Sequence, residues 1–193
     1  MARFNACNIL RQDATTSDLW RFGASGKIPK KVAHISGDPS ENLPKSTFVK
    51  GWKTLWSQRI NIGWLPMEKV FLRVVQIPRC ETPEEMRSMV EFQLEKLSPI
   101  PVAQCMWSIE PVPERSKVPG QMQSVVLVVV SRTLVDDCLT SLEKRDFEAD
   151  RLEAPFLHQL LSMSGDQDGL WFFPYVAAGH VCCLIVCWEH RVL

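Results

Sequence analysis

Lys69-Val70-Phe71-Leu72-Arg73-Val74-Val75-Gln76-Ile77-Pro78 opens the stretch on which the reading turns, residues Pro66 to Glu153. The run is apolar and β-branched and closes at a proline, which gives a strand over Lys69–Ile77. Thr82, Pro83 and Glu85 follow. A hydroxyl at the cap, proline at the first helical position and an acid three residues after the cap start a helix. Met86, Met89, Val90, Leu94 and Leu97 recur at helical spacing and define its apolar face. Ser98-Pro99 ends it, because the residue before a proline avoids helical geometry. Gln104–Pro111 then alternates, with Cys105, Trp107 and Ile109 on one side. After a polar, proline-rich loop at Pro113–Gly120, Val125 to Val130 are six consecutive apolar residues, the pattern of a strand buried on both faces.

Leu134–Arg145 forms a second helix, with Thr133 and Asp136 as its capping pair and Leu134, Val135, Cys138, Leu139 and Leu142 as its apolar face. Phe147–Leu152 gives a last strand. The order strand, helix, strand, strand, helix, strand predicts a ferredoxin-like βαββαβ subdomain within an α+β fold of mixed sheets.

Outward from this unit, Arg3–Leu10, Leu19–Phe22 and Lys31–Ser36 are predicted strands. Gly37–Leu43 reads as a loop, and Pro44–Gln58 as a helix with Phe48, Trp52, Leu55 and Trp56 on one face. Ile60–Leu65 leads back to the core stretch. Downstream, Pro155–Met163 predicts a short helix, and Trp171–Val176 and Val181–Trp188 two strands. The boundaries are therefore 1–65, 66–153 and 154–193. Because Val181–Trp188 is strongly apolar and close to Leu193, the chain is expected to be a fragment, with this strand left without neighbours.

Composition excludes some classes. Of 193 residues, 46% are apolar, which supports a sizeable core. The 22 basic and 22 acidic residues balance, so no nucleic-acid surface is expected. No apolar run reaches the ~18 residues of a membrane span. The odd count of seven cysteines, with Cys182 and Cys183 adjacent, argues against a disulfide framework and for a reducing cytoplasm. Seven tryptophans against one tyrosine read as core packing.

Candidate chemistry is sparse. Gly23-Ala24-Ser25-Gly26-Lys27 has two residues between its glycines where a phosphate loop has four, and Ile28 follows where Ser or Thr belongs, so it reads as a turn. His180, Cys182, Cys183, Cys187 and His190 are the only metal-like cluster. Along an extended strand the two histidines lie roughly 33 Å apart at ~3.3 Å per residue, and Cys183 and Cys187 face away from them. Ligands must converge on a metal, so these read as buried structural residues. His158 has no nameable triad partner. Glu81, Glu84, Glu85, Glu91 and Glu95 read as a solvated face with one capping role. No catalytic, cofactor-binding or metal-binding residue is expected.

One resemblance goes further. Leu65-Pro66-Met67-Glu68 running into the Lys69–Pro78 strand, the helix ending in Ser98-Pro99-Ile100-Pro101, Val125–Val130 with Ser131-Arg132, the helix Leu134–Arg145, and Phe147-Glu148-Ala149-Asp150-Arg151-Leu152-Glu153-Ala154 resemble, in this order, the pilus assembly protein PilM and the type II secretion protein GspL. The match covers Leu65 to Met163. It implies an actin-like (ribonuclease H-like) fold in two halves, each opening strand-turn-strand, with a small subdomain inserted in the first. This chain then supplies the first half and the opening strands of the second. The resemblance also implies a cytoplasmic scaffold, peripheral to the inner membrane, in the platform that assembles pili or pseudopili. Its partners are cytoplasmic segments of membrane proteins and the assembly ATPase, and self-association is expected through the C-terminal strand.

PilM-like members bind ATP, and the first turn of that pattern carries Asp-x-Gly. Here Asp13-Ala14-Thr15-Thr16-Ser17-Asp18 has hydroxyls but no glycine for close phosphate approach. The second turn, Val176-Ala177-Ala178-Gly179-His180, has glycine but no acid or hydroxyl. No nucleotide-binding residue carries over, and ATP is disfavoured as a cofactor. An actin-like ATP-binding or phosphotransfer protein and a ligand-sensing ferredoxin-like module are the alternatives.

Overall fold

The structure is a computed structural model. It describes residues 6–12, 16–23, 30–38, 59–112, 122–155 and 157, together with the strand backbone of 169–172, 176–177, 180–181, 184–188 and 191–192. The predicted helices at Pro44–Gln58 and Pro155–Met163, the loop at 113–120 and His158 lie wholly or largely outside these residues. The chain divides into two compact units, Met1–Pro66 with Val135–Pro155, and Met67–Leu134 with Phe156–Leu193. The span 66–153 expected as one subdomain thus divides after Leu134.

The first unit opens with β1 (Ala6–Gln12), β2 (Ser17–Gly23) and β3 (Lys30–Gly37), an antiparallel meander, followed by β4 (Arg59–Trp64), which pairs in parallel with β1. The chain then builds β5 (Phe71–Pro78), α1 (Pro83–Leu97), β6 (Cys105–Pro111) and β7 (Met122–Ser131) in the second unit. It continues through α2 (Arg132–Glu143) into β8 (Arg151–Glu153), which pairs in parallel with β4. The five-stranded sheet has the order β3-β2-β1-β4-β8. β1 and β2 form the antiparallel opening pair that the resemblance implies, and the mixed α+β class holds.

The ferredoxin-like closure is not made. The predicted order of elements is present, but β5, β7 and β6 form an antiparallel sheet of three strands, and the sixth element joins the other sheet. The reason lies in the apolar face of α2 and the segment after it. Leu142 and Phe147 cluster with Leu10 of β1 and Leu19 of β2, with Leu152 against them. Burying that face on the first sheet carries the following strand to β4. Gly63 on β4 makes room for this packing: a Cβ there would lie 2.7 Å from Leu142 Cδ1 and 2.8 Å from Leu152 Cδ2.

Helix ends follow local chemistry. Thr82 caps α1, its Oγ1 accepting from Glu85 N at 3.2 Å, while Glu85 Oε2 accepts from Glu81 N at 3.1 Å. The predicted box is present with its return bond one residue earlier. For α2 the cap is Ser131, whose Oγ accepts from Leu134 N at 3.1 Å. The Thr133–Asp136 pair was displaced because the helix begins at Arg132, directly after the strand. At its other end Phe147 N donates to Leu142 O at 3.0 Å and Asp146 N to Glu143 O at 2.9 Å, with Asp146 at φ 56°. This is a Schellman motif with Asp in the left-handed position usual for glycine, and Phe147 and Leu142 supply its apolar contact.

In the second unit, Val90 and Leu94 of α1 pack on Val75, Ile77, Cys105, Val125, Leu127 and Val129, and Trp107 and Ile109 join them as the alternation predicts. Arg87 lies over the Trp107 ring at 4.5 Å. All of Val125–Val130 are buried, so β7 is covered on both faces. Trp20, Trp64 and Trp107 are half-buried, and Trp107 packs at the margin of the core. Among the described residues no helix is long and apolar enough to cross a membrane.

The remaining strands are β9 (Gly169–Phe172), β10 (Val176–Ala177), β11 (His180–Val181), β12 (Leu184–Trp188) and β13 (Arg191–Val192). β12 lies between β9 and β13. The expectation of an apolar strand left without neighbours is therefore corrected: Leu184–Cys187 pair with β9, and Cys187 and Trp188 with β13.

Candidate functional site

Among the described residues, three places carry side chains arranged for more than packing. The first flanks the turn between β1 and β2, where the resemblance puts a nucleotide-phosphate loop. Gln12 and Ser17 face each other as the last pair before the turn. Both are tied to the α2 region: Ser141 Oγ donates to Gln12 Oε1 at 3.2 Å, and Arg145 Nη1 donates to Ser17 Oγ at 2.6 Å. Burial lowers the pKa of Arg145 from its usual value. These groups close a half-buried polar corner around buried Ser17, whose Oγ accepts from Arg145. Residues 13–15 lie outside the described residues.

A second arrangement sits across β2, β3 and β4. The His34 ring lies flat on Trp20, centroids 5.2 Å apart and planes within 1°, and Trp64 tilts against Trp20 at 5.2 Å. Asp18 Oδ1 is 3.0 Å from His34 Nε2. A His–Asp pair acts in catalysis when the imidazole also holds a nucleophile. Here Nε2 is directed at Asp18 and the ring is held by stacking, so the pair joins β3 to β2. β3 is an edge strand with Val32 67% exposed. Lys30 and Lys31 and a register break beside Phe22 blunt that edge against further pairing.

The third is the outer face of α1. Phe92 is 92% exposed and Met89 44% exposed, one turn apart, with Glu85 and Lys96 exposed on the same stripe. Met89, which the helical spacing places on the buried face, is exposed, and Phe92 lies outside that spacing. The signal was present: at ~100° per residue, Phe92 lies opposite both Val90 and Leu94.

Other sequence candidates dissolve. Gly23 ends β2, the antiparallel neighbour of β3, and the rest of Gly23–Lys27 lies outside the described residues. Among the described residues no group of three or more His, Cys, Asp or Glu is placed to hold a metal ion. The side chains of the His180–His190 cluster lie outside them.

No family model and no curated protein matches the sequence. Among solved structures, the chain aligns over 100% of its length with one described as "PilM-PilN type IV pilus biogenesis complex", with a TM-score of 0.70 and 20% identity. The fold is PilM-like. The chain spans 60% of the length of that structure's chain. In sequence, β5, α1, β6 and β7 lie between β4 and β8 of the five-stranded sheet.

Proposed function

We propose that the chain is a non-catalytic scaffold of an inner-membrane platform that assembles type IV pili or type II secretion pseudopili, placed at the cytoplasmic face. The observation carrying this reading is the full-length likeness to a PilM–PilN complex. The partner is a short cytoplasmic segment of a membrane protein of the same platform. The polar groups that flank the first turn support a scaffold over an ATPase, since Ser17 and Gln12 serve as anchors for the α2 region.

The test is calorimetry of the purified chain against synthetic cytoplasmic segments of the membrane proteins encoded beside it. Saturable one-to-one binding of one segment is expected. If no segment binds and a small metabolite raises the melting temperature instead, the sensor alternative replaces the scaffold.

A further inference from the structure

We propose that the outer face of α1 is the seam of a two-fold homodimer, with α1 of a second copy packed antiparallel against it. The inference stands independently of the scaffold reading. Its starting point is the stripe Glu85, Met89, Phe92 and Lys96, spaced four, three and four residues apart. That spacing places all four along one side of the helix, the side of a coiled-coil-like seam. The opposite side holds Val90 and Leu94, which are buried. The helix thus carries two apolar faces, of which its own unit covers one.

The charges on the stripe choose the occupant. In an antiparallel pair with its two-fold axis between Met89 and Phe92, each Phe92 meets the partner copy's Met89. In the same register Glu85 of each copy meets Lys96 of the other. Each of the four stripe positions therefore finds a complementary one in its own sequence, as an isologous contact requires. Parallel pairing would instead set Glu85 beside Glu85 and Lys96 beside Lys96. The antiparallel arrangement also opposes the two helix dipoles. Glu85 uses Oε2 to accept from Glu81 N and keeps Oε1 for the partner's lysine.

One helix pair buries less than the ~1,000 Å² of a firm interface, so the dimer is reversible and concentration-dependent. The test is sedimentation equilibrium of the full chain over a concentration series. The wild type is expected to fit a monomer–dimer equilibrium. Phe92→Asp, at a position so exposed that folding is unaffected, is expected to be monomeric throughout. Lys96→Glu sets acids opposite each other twice and is expected to weaken association about tenfold or more. Glu85→Lys with Lys96→Glu restores complementary charges and is expected to recover most of that loss. Circular dichroism confirms that each variant remains folded, since Glu85→Lys also removes the bond to Glu81 N. A wild type that stays monomeric at every concentration overturns the proposal and leaves this face to a foreign helix. Unchanged dimerisation of Phe92→Asp, or a double variant no better than Lys96→Glu, overturns it equally.

Discussion

Asn8 Nδ2 donates to Asn61 Oδ1 at 2.9 Å, between two buried side chains facing each other on parallel strands β1 and β4. Asn61 also donates through Nδ2 to Glu148 O at 2.9 Å, and its backbone N donates to Asp150 Oδ2 at 2.8 Å. One residue thereby joins β1, β4 and the segment entering β8, 87 residues away in sequence from Asn61. Asn61→Leu keeps the volume and orphans the Asn8 amide and the Glu148 carbonyl. Urea unfolding is expected to show a loss of about 1–3 kcal/mol, because the buried Asn8 amide is left unsatisfied while the exposed Glu148 carbonyl turns to water. A loss under ~1 kcal/mol would mean that water or other groups satisfy the site.

Gly63 tests the same junction by volume. Its missing Cβ leaves room for Leu142 and Leu152, whose contacting atoms are the ends of flexible side chains. Gly63→Ala is therefore expected to destabilise by only about 1 kcal/mol, and Gly63→Val by about 3, where repacking runs out of room. Equal effects would show that the two leucines do not define the limit.

How much of this was legible in the sequence depended on how local the cause was. The ends of α1 followed from Thr82, Pro83 and Pro99, all within a turn of the boundary they set. The burial of β7 followed from six apolar residues in a row. The destination of β8 did not follow, because a strand of three residues has no pattern of its own. It is placed by Leu142 and Phe147 meeting Leu10 and Leu19, more than a hundred residues earlier. At the candidate sites, exposed Phe92 was readable by angle but hidden among apolar neighbours. The anchoring of Ser17 by Arg145 was not readable, since nothing local links them.

Cys7 offers a titration. Burial, and secondarily the negative charge of Glu153, raises its thiol pKa. The raised value means the folded state holds the proton that the unfolded chain releases first. Its contribution to stability is thus complete below the unfolded thiol pKa and lost as pH rises through the folded one. Labelling at Cys7, followed by mass spectrometry across pH, should have its midpoint above that of the denatured chain. Glu153→Gln should lower the midpoint. A native midpoint at or below the denatured one contradicts this assignment.

Nucleotide is the sharpest discriminator between scaffold and ATPase. Phosphate binding at a strand turn needs close backbone approach, which glycine permits, and free donors directed at the anion. Asp13–Asp18 contains no glycine, and the flanking Ser17 hydroxyl, which accepts from Arg145 at 2.6 Å, has only its own proton left to donate. Calorimetry with Mg-ATP is therefore expected to show no saturable heat. Ser17→Ala separates the two uses of that hydroxyl. As an anchor for a charged donor, its loss should lower unfolding free energy by about 1.5–3 kcal/mol while the nucleotide titration stays flat. Micromolar ATP binding at one site per chain that Ser17→Ala abolishes, with stability unchanged, would reverse the assignment and restore the ATP-binding alternative.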